Sequence, residues 1–141
     1  MTINPYITFD GNCREAFEFY KSVFGGDFMA VRTFADGPDE MPIQEADKSR
    51  IMHMSLPVGD TVLMGSDVAS GFGDAPKSHD GISLSYIPHS REDADRVFAG
   101  LSGNGGTPTL PMEDAFWCSY FGMCQDRFGI KWMINYNTQT V

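Results

Sequence analysis

Histidine and cysteine, which often serve as metal ligands, bases or nucleophiles, are scarce in this chain, with three of each. His53 is the one His within a predicted strand, where an imidazole could act as acid, base or ligand near neutral pH. A single His without partners is also common as a surface or hydrogen-bonded structural residue, and both interpretations stay open. His79 and His89 lie in a Gly- and Ser-rich stretch and just before a helix, so we expect both to be solvated.

Cys118 and Cys124 are predicted to share one face of a strand, because their positions differ by six, an even number. A nucleophilic thiol needs a positive neighbour or a helix start to lower its pKa, and no His is near in the sequence. We therefore interpret both as buried, unreactive thiols. Glu113 and Asp114 precede that strand, where they could hold a polar or cationic ligand or simply be solvated.

Apolar and aromatic side chains are abundant, with nine Met, eleven Phe, five Tyr and two Trp. Phe116, Trp117 and Tyr120 form a dense aromatic group that could line a pocket, or could belong to the core or a dimer interface. In the last strand, alternation puts Met133 and Asn135 on one face and Trp132 on the other. The composition favours a pocket for an apolar molecule over a metal site.

The first half of the chain is predicted to contain one helix and four strands. A short apolar run ends at Phe9, and Asn12 followed by Glu15 is typical of a helix start. The apolar residues that follow have a period of 3.6, and Gly25 ends the helix. Strands are predicted at 28–34, 51–56 and 61–64, with a solvated acidic loop at 35–47.

The second half repeats this order, with a helix start at Ser90 and Asp93. Strands are predicted at 82–87, 107–110, 116–125 and 130–136. The fold class is therefore α+β, with two βαβββ modules. We predict a single domain over 1–141, with module 1 at about 1–68, a linker at 69–80 and module 2 at about 81–141.

Length and charge limit the possible functions. A chain of 141 residues is about one domain. Its net charge of −9 repels phosphate backbones and anionic bilayers, so we expect neither nucleic acid nor membrane as a partner. The start has no basic cluster followed by an apolar stretch, and no long apolar run follows. With an odd number of cysteines, these features predict a cytoplasmic protein with reduced thiols.

Two segments resemble a known superfamily. The run Phe19-Tyr20-Lys21-Ser22-Val23-Phe24-Gly25-Gly26, preceded by Gly11-Asn12-Cys13, resembles the first helix of the vicinal-oxygen-chelate proteins, which include glyoxalase I, extradiol dioxygenases and bleomycin-resistance proteins. With Pro5 to Phe9, Phe116-Trp117 and the run from Asp126 to Asn135, the chain resembles the PhnB branch. The resemblance implies a curled mixed sheet around a cavity, in a homodimer.

The resemblance also implies where a metal would lie. Metal enzymes of the superfamily hold their ion with four residues, mostly His and Glu, at places that correspond here to about Pro5, Met64, Gly81 and Met133. None of these side chains is a ligand for a hard or borderline divalent metal, because thioether sulfur prefers soft ions. A shift of one residue would offer at best one carboxylate and a phenol, those of Asp80 and Tyr6. We expect no metal and no cofactor.

The sequence therefore predicts a PhnB-like protein that binds or sequesters a small apolar or aromatic molecule. The ligand-binding residues that we predict are His53, Met64, Phe116, Trp117, Tyr120, Met133 and Asn135. The alternative is a metal-dependent lyase, isomerase or dioxygenase, and whether the protein is an enzyme stays open. Some members carry the name 3-demethylubiquinone methyltransferase, but the sequence has no glycine-rich turn between a strand and a helix to support a Rossmann-like cofactor site.

Overall fold

A computed structural model describes residues 1–117 and 119–137, which form two compact units. The first is Met1–Lys77 and the second begins at Ser78. The first unit contains β1 (Tyr6–Phe9), α1 (Cys13–Phe24), β2 (Ala30–Thr33), β3 (Ile51–Val58) and β4 (Thr61–Asp67). The second contains β5 (Ser83–Tyr86), α2 (Arg91–Ser102), β6 (Thr107–Ala115), β7 (Ser119–Gln125) and β8 (Lys131–Asn137). Each unit has the order strand, helix and three strands, which confirms the α+β class with two βαβββ modules.

Helix α1 forms where the 3.6-residue period predicted it. Its buried face includes Ala16, Phe17 and Tyr20, and it ends before Gly25, whose φ of 80° suits glycine. The helix begins where predicted, with Asn12 as its N-cap residue, but the Asn12 side chain does not make the predicted cap hydrogen bond. A residue distant in the sequence replaces it: the Asp67 carboxylate accepts hydrogen bonds from the backbone N–H groups at the helix start.

The first sheet has the strand order β1-β4-β3-β2. Strand β1 runs parallel to β4, with Tyr6 paired to Met64, and the other pairs are antiparallel. On the face that packs against α1, Gly65 allows a close approach, since an added Cβ would lie 2.7 Å from Phe17 Cε1 and 2.9 Å from the Ile7 carbonyl oxygen. Glycine at this position lets the helix lie directly on the central strand.

The acidic segment between β2 and β3 is only partly the solvated loop that we predicted. It contains two short 3₁₀ turns, Phe34–Asp36 and Glu45–Asp47. Asp47 is buried, and its carboxylate accepts a hydrogen bond from the Ser70 backbone N–H at 3.0 Å and lies 3.5 Å from Arg50 Nε. The end of the segment is thus tied to the chain that leaves β4.

The second sheet has the corresponding order β5-β8-β7-β6, again with a parallel first pair. Helix α2 begins as predicted, because the Ser90 side chain accepts a hydrogen bond from the Asp93 N–H. Trp132 and Ile134 of β8 are buried, in agreement with the predicted alternation. Strand β6 is longer than predicted and includes Glu113 and Asp114, which we had placed before a strand.

Both helices have 12 residues. Over residues 1–117 and 119–137, the structure contains no helix with the length and apolar character that crossing a bilayer requires.

Candidate ligand-binding site

Each sheet packs one face against the helix of its own unit, and we call the other face the open face. In the first unit, the buried residues Leu63 and Gly65 mark the helix-facing side of β4, so Met64 lies on the open face. In the second unit, Trp132 and Ile134 mark the helix-facing side of β8, so Met133 and Asn135 lie on its open face. His53 of β3 also lies on the open face, because the adjacent Met54 pairs with Gly65 on the helix-facing side. Four predicted site residues are therefore on open faces.

His53 forms a pair with a tyrosine on the open face of the first sheet. Its Nδ1 lies 3.2 Å from the Tyr6 hydroxyl, and the two ring centroids are 5.7 Å apart. The pair spans β4, because Tyr6 is on β1 and His53 is on β3. Arg32 is the cross-strand partner of His53 on β2. The imidazole therefore has a hydrogen-bond partner, and this part of the open face is polar.

Tyr6 was considered only as an alternative metal position and was not among the predicted ligand-binding residues. The signal that could have found it is the order of the strands: once β1 pairs in parallel with β4, Tyr6 falls beside Met64 on the open face. Tyr6 is 49% exposed, which leaves part of its ring accessible next to His53. Tyr6 therefore belongs with His53 as a candidate site residue.

The four positions that correspond to metal ligands do not form a ligand set for a divalent ion. The Pro5 carbonyl oxygen accepts a hydrogen bond from the Met64 N–H at 3.0 Å. Gly81 precedes β5, has a φ of 87° and offers no side chain. Met64 and Met133 have thioether sulfur, which suits soft ions. Residues 1–117 and 119–137 contain no group of three or more His, Cys, Asp or Glu side chains placed to hold an ion.

The open face of the second sheet carries apolar and polar side chains around β8, and the exposed Glu113 of β6 is paired with Phe121 on this face. Met133 is paired with Met123 of β7 on one side and Ser85 of β5 on the other. Asn135 is paired with Phe121. The Asn135 Oδ1 atom is buried, and no described residue donates a hydrogen bond to it. This face therefore combines thioether and aromatic surface with one buried amide oxygen.

The three clustered aromatic residues do not share one environment. Phe116 is 93% exposed and Trp117 is 50% exposed, and the Trp117 ring contacts the Phe121 ring at a centroid distance of 5.5 Å. The Trp117 ring thus contacts the cross-strand partner of Asn135, and the Phe116 ring in turn contacts Trp117 at a centroid distance of 5.0 Å.

Tyr120 lies on the opposite, helix-facing side of β7. Its hydroxyl donates a hydrogen bond to the Asp95 carboxylate of α2, and the Arg91 guanidinium lies over its ring, 4.5 Å from the centroid. The hydrogen bond to Asp95 raises the pKa of the Tyr120 hydroxyl. The structure thus separates Tyr120 from Met133 and Asn135, which the sequence prediction had grouped with it.

Comparison with known proteins identifies the family to which the chain belongs. A family model described as 3-demethylubiquinone-9 3-methyltransferase matches residues 1–135. The chain belongs to this PhnB-like family. It is 38% identical to protein PA1353 from Pseudomonas aeruginosa, over 97% of this chain and 98% of that one, with a TM-score of 0.84. The resemblance to the PhnB branch is confirmed.

Other relatives extend the comparison. YjdN from Escherichia coli is 28% identical over 96% of this chain and 95% of its own length. The PhnB protein from Bacillus cereus is 22% identical, over 96% of this chain and 99% of that one, with a TM-score of 0.71. Two glyoxalase/bleomycin resistance proteins match at 15% and 16% identity with TM-scores of 0.62 and 0.61, so this PhnB-like chain has the fold of the vicinal-oxygen-chelate superfamily.

The two cysteines that the structure describes, Cys13 and Cys124, are buried. Burial raises the pKa of the Cys13 thiol, with a smaller contribution from Asp67. Burial, together with the charge of Asp126, raises the pKa of Cys124 to about 12. Cys124 therefore fits the predicted unreactive thiol, and Cys13 is buried in the same way; Cys118 lies outside the described residues.

We expect iodoacetamide at pH 8 to modify Cys13 and Cys124 of this PhnB-like protein at least ~100-fold more slowly in the folded protein than in urea, because the thiolate is the reacting species. Mass spectrometry of chymotryptic peptides over time would measure each rate separately, because cleavage after Tyr120 and Phe121 divides Cys118 from Cys124. Equal rates with and without urea would show that these thiols are accessible in the native state.

Proposed function

We propose that this PhnB-like protein binds a small, largely apolar or aromatic molecule on the open faces of its sheets, without a resident divalent metal. The observation that carries the proposal is the set of side chains on the open faces of the four central strands. On β3, β4, β7 and β8, these positions include one His and no Asp, Glu or Cys. A borderline divalent ion would find too few donors there.

Several of these open-face positions carry apolar side chains. Met64, Met123 and Met133 supply flexible, polarisable thioethers that adapt to the shape of a ligand. In the second unit, Phe121 and Trp117 add aromatic surface and Asn135 supplies a polar group. In the first unit, His53 supplies the polar group beside Met64. Small-molecule sites typically combine an apolar lining with a few such polar groups.

Isothermal titration with a panel of aromatic compounds tests the binding proposal. The family description names a demethylubiquinone, so ubiquinone-0 belongs in the panel beside simple indoles and phenols. We expect at least one compound to bind, and Met133→Ala to weaken it by about tenfold through the lost side-chain contact. Met29→Ala is the matched control, because Met29 is exposed and lies outside the strands.

Elemental analysis tests the other half of the proposal. Protein purified without added metal should contain well under one equivalent of Mn, Fe, Ni or Zn. Stoichiometric metal that survives dialysis would contradict the proposal and would favour the metal-dependent alternative. Absence of binding across the panel, with Met133→Ala indistinguishable from the unmodified chain, would contradict the binding half.

A further inference from the structure

The Asn135 side chain carries a buried amide oxygen on the open face of β8. Its Oδ1 is buried, and no described residue donates to it. Buried polar atoms are nearly always hydrogen-bonded in folded proteins, because an unpaired one loses its bonds to water without replacement. An amide oxygen kept in this state is explained most directly by a donor that arrives with a ligand.

The neighbours of Asn135 indicate what kind of molecule would carry that donor. Its cross-strand partner is Phe121, and Met133 lies two residues away on the same face of β8. Met123 is diagonal to it on β7, and the Trp117 ring contacts Phe121. Thioether and aromatic side chains therefore occupy the positions next to Asn135 on this face, where they would contact an apolar or aromatic body.

We propose that Asn135 determines specificity in the binding site, by accepting a hydrogen bond from an aromatic or apolar ligand that carries an N–H or O–H group. This inference rests on the proposed function and names its ligand class. A site that offers a buried acceptor discriminates strongly against an analogue without the donor, because the acceptor is then left unpaired. An N-methylated or O-methylated analogue should therefore be disfavoured.

Matched probe pairs test the inference. Indole and N-methylindole differ in the N–H group, and phenol and anisole differ in the O–H group. By isothermal titration, we expect the unmodified protein to bind the donor of each pair about tenfold more tightly, the factor typical of one buried hydrogen bond. Asn135→Leu should bind both members of a pair with equal affinity, since it keeps the volume and removes the acceptor.

Thermal unfolding without any probe supplies an independent measurement. Asn135→Leu should melt at the same temperature as the unmodified protein or higher, because no hydrogen bond is lost. The control is Asn4→Leu, since the Asn4 Oδ1 accepts a hydrogen bond from the Val62 N–H at 3.0 Å. We expect that variant to melt at a lower temperature and to keep the preference for the donor probes.

The outcomes separate this inference from the proposed function. Equal binding of both members of each pair by the unmodified protein would overturn the role of Asn135 and leave the apolar site intact. A fall in melting temperature for Asn135→Leu as large as that for Asn4→Leu would also overturn it, because the oxygen would then be paired in the free protein. No binding of any probe at millimolar concentration would overturn the proposed function and this inference with it.

Discussion

Replacing Asp67 with alanine is expected to lower the free energy of unfolding by about 3–5 kcal/mol. Asp67 is buried, and its Oδ1 accepts hydrogen bonds from the backbone N–H groups of Gly11 at 2.8 Å and Cys13 at 3.0 Å. Its Oδ2 accepts a third from the Ile51 N–H at 2.9 Å. Alanine would leave all three donors without an acceptor, and urea unfolding followed by circular dichroism would measure the loss.

Two further variants make this result specific. Asp67→Asn keeps an oxygen for Gly11 and Cys13 and loses the acceptor for Ile51, so it should cost less than alanine. Asp10→Ala removes an exposed carboxylate 2.9 Å from Arg50 Nη1, and we expect a change within about 1 kcal/mol. If Asp67→Ala unfolded at the same urea concentration as the unmodified protein, the helix start would not depend on this carboxylate.

Asp126→Ala in the second unit is expected to cost about 3 kcal/mol, because this buried carboxylate also has three donors. Its Oδ1 accepts from the N–H groups of Phe128 at 2.9 Å and Ile130 at 3.1 Å, which fixes the turn before β8. Its Oδ2 accepts from Trp132 Nε1 at 2.9 Å. Chemical unfolding of the variant gives the size of the loss.

A double-mutant cycle isolates the bond to Trp132. Asp126→Ala and Trp132→Phe should be non-additive by about 1–2 kcal/mol, since each removes the same hydrogen bond. Asp80→Ala is the control for the loss of a carboxylate near β8 that is not buried. The Asp80 carboxylate is exposed and lies 3.1 Å from Lys131 Nζ. Fully additive effects of the two substitutions would show that the indole contributes to stability through packing alone.

The sequence predicted those parts of the fold that depend on local pattern. Periodicity located α1 and α2, the Ser90 cap was correct, and alternation assigned Trp132 to the core. The start of α1 was assigned to Asn12, whereas the groups there bond to Asp67, 54 residues from Cys13. Such a partner belongs to the tertiary fold, and a local motif cannot reveal it.

In the candidate site, too, some features follow from local sequence pattern and others depend on the tertiary fold. Alternation was enough to put Met133 and Asn135 on one face of β8. The pair of Tyr6 and His53 depends on which strands are neighbours, and the separation of Tyr120 depends on its hydrogen bond to Asp95 of α2. Strand order and helix docking arise from contacts between distant residues, so these features could not be derived from spacing in the chain.

The parallel pairing of the first and last strand in each unit has a consequence for folding. Tyr6 pairs with Met64, and Ser83 pairs with Lys131, so each sheet is completed by residues about 50 positions apart. The entropy of closing such long loops slows folding, and β1 has no strand to join until β4 has been synthesised. On a ribosome, the first unit would therefore complete its sheet only after Asp67 has left the exit tunnel.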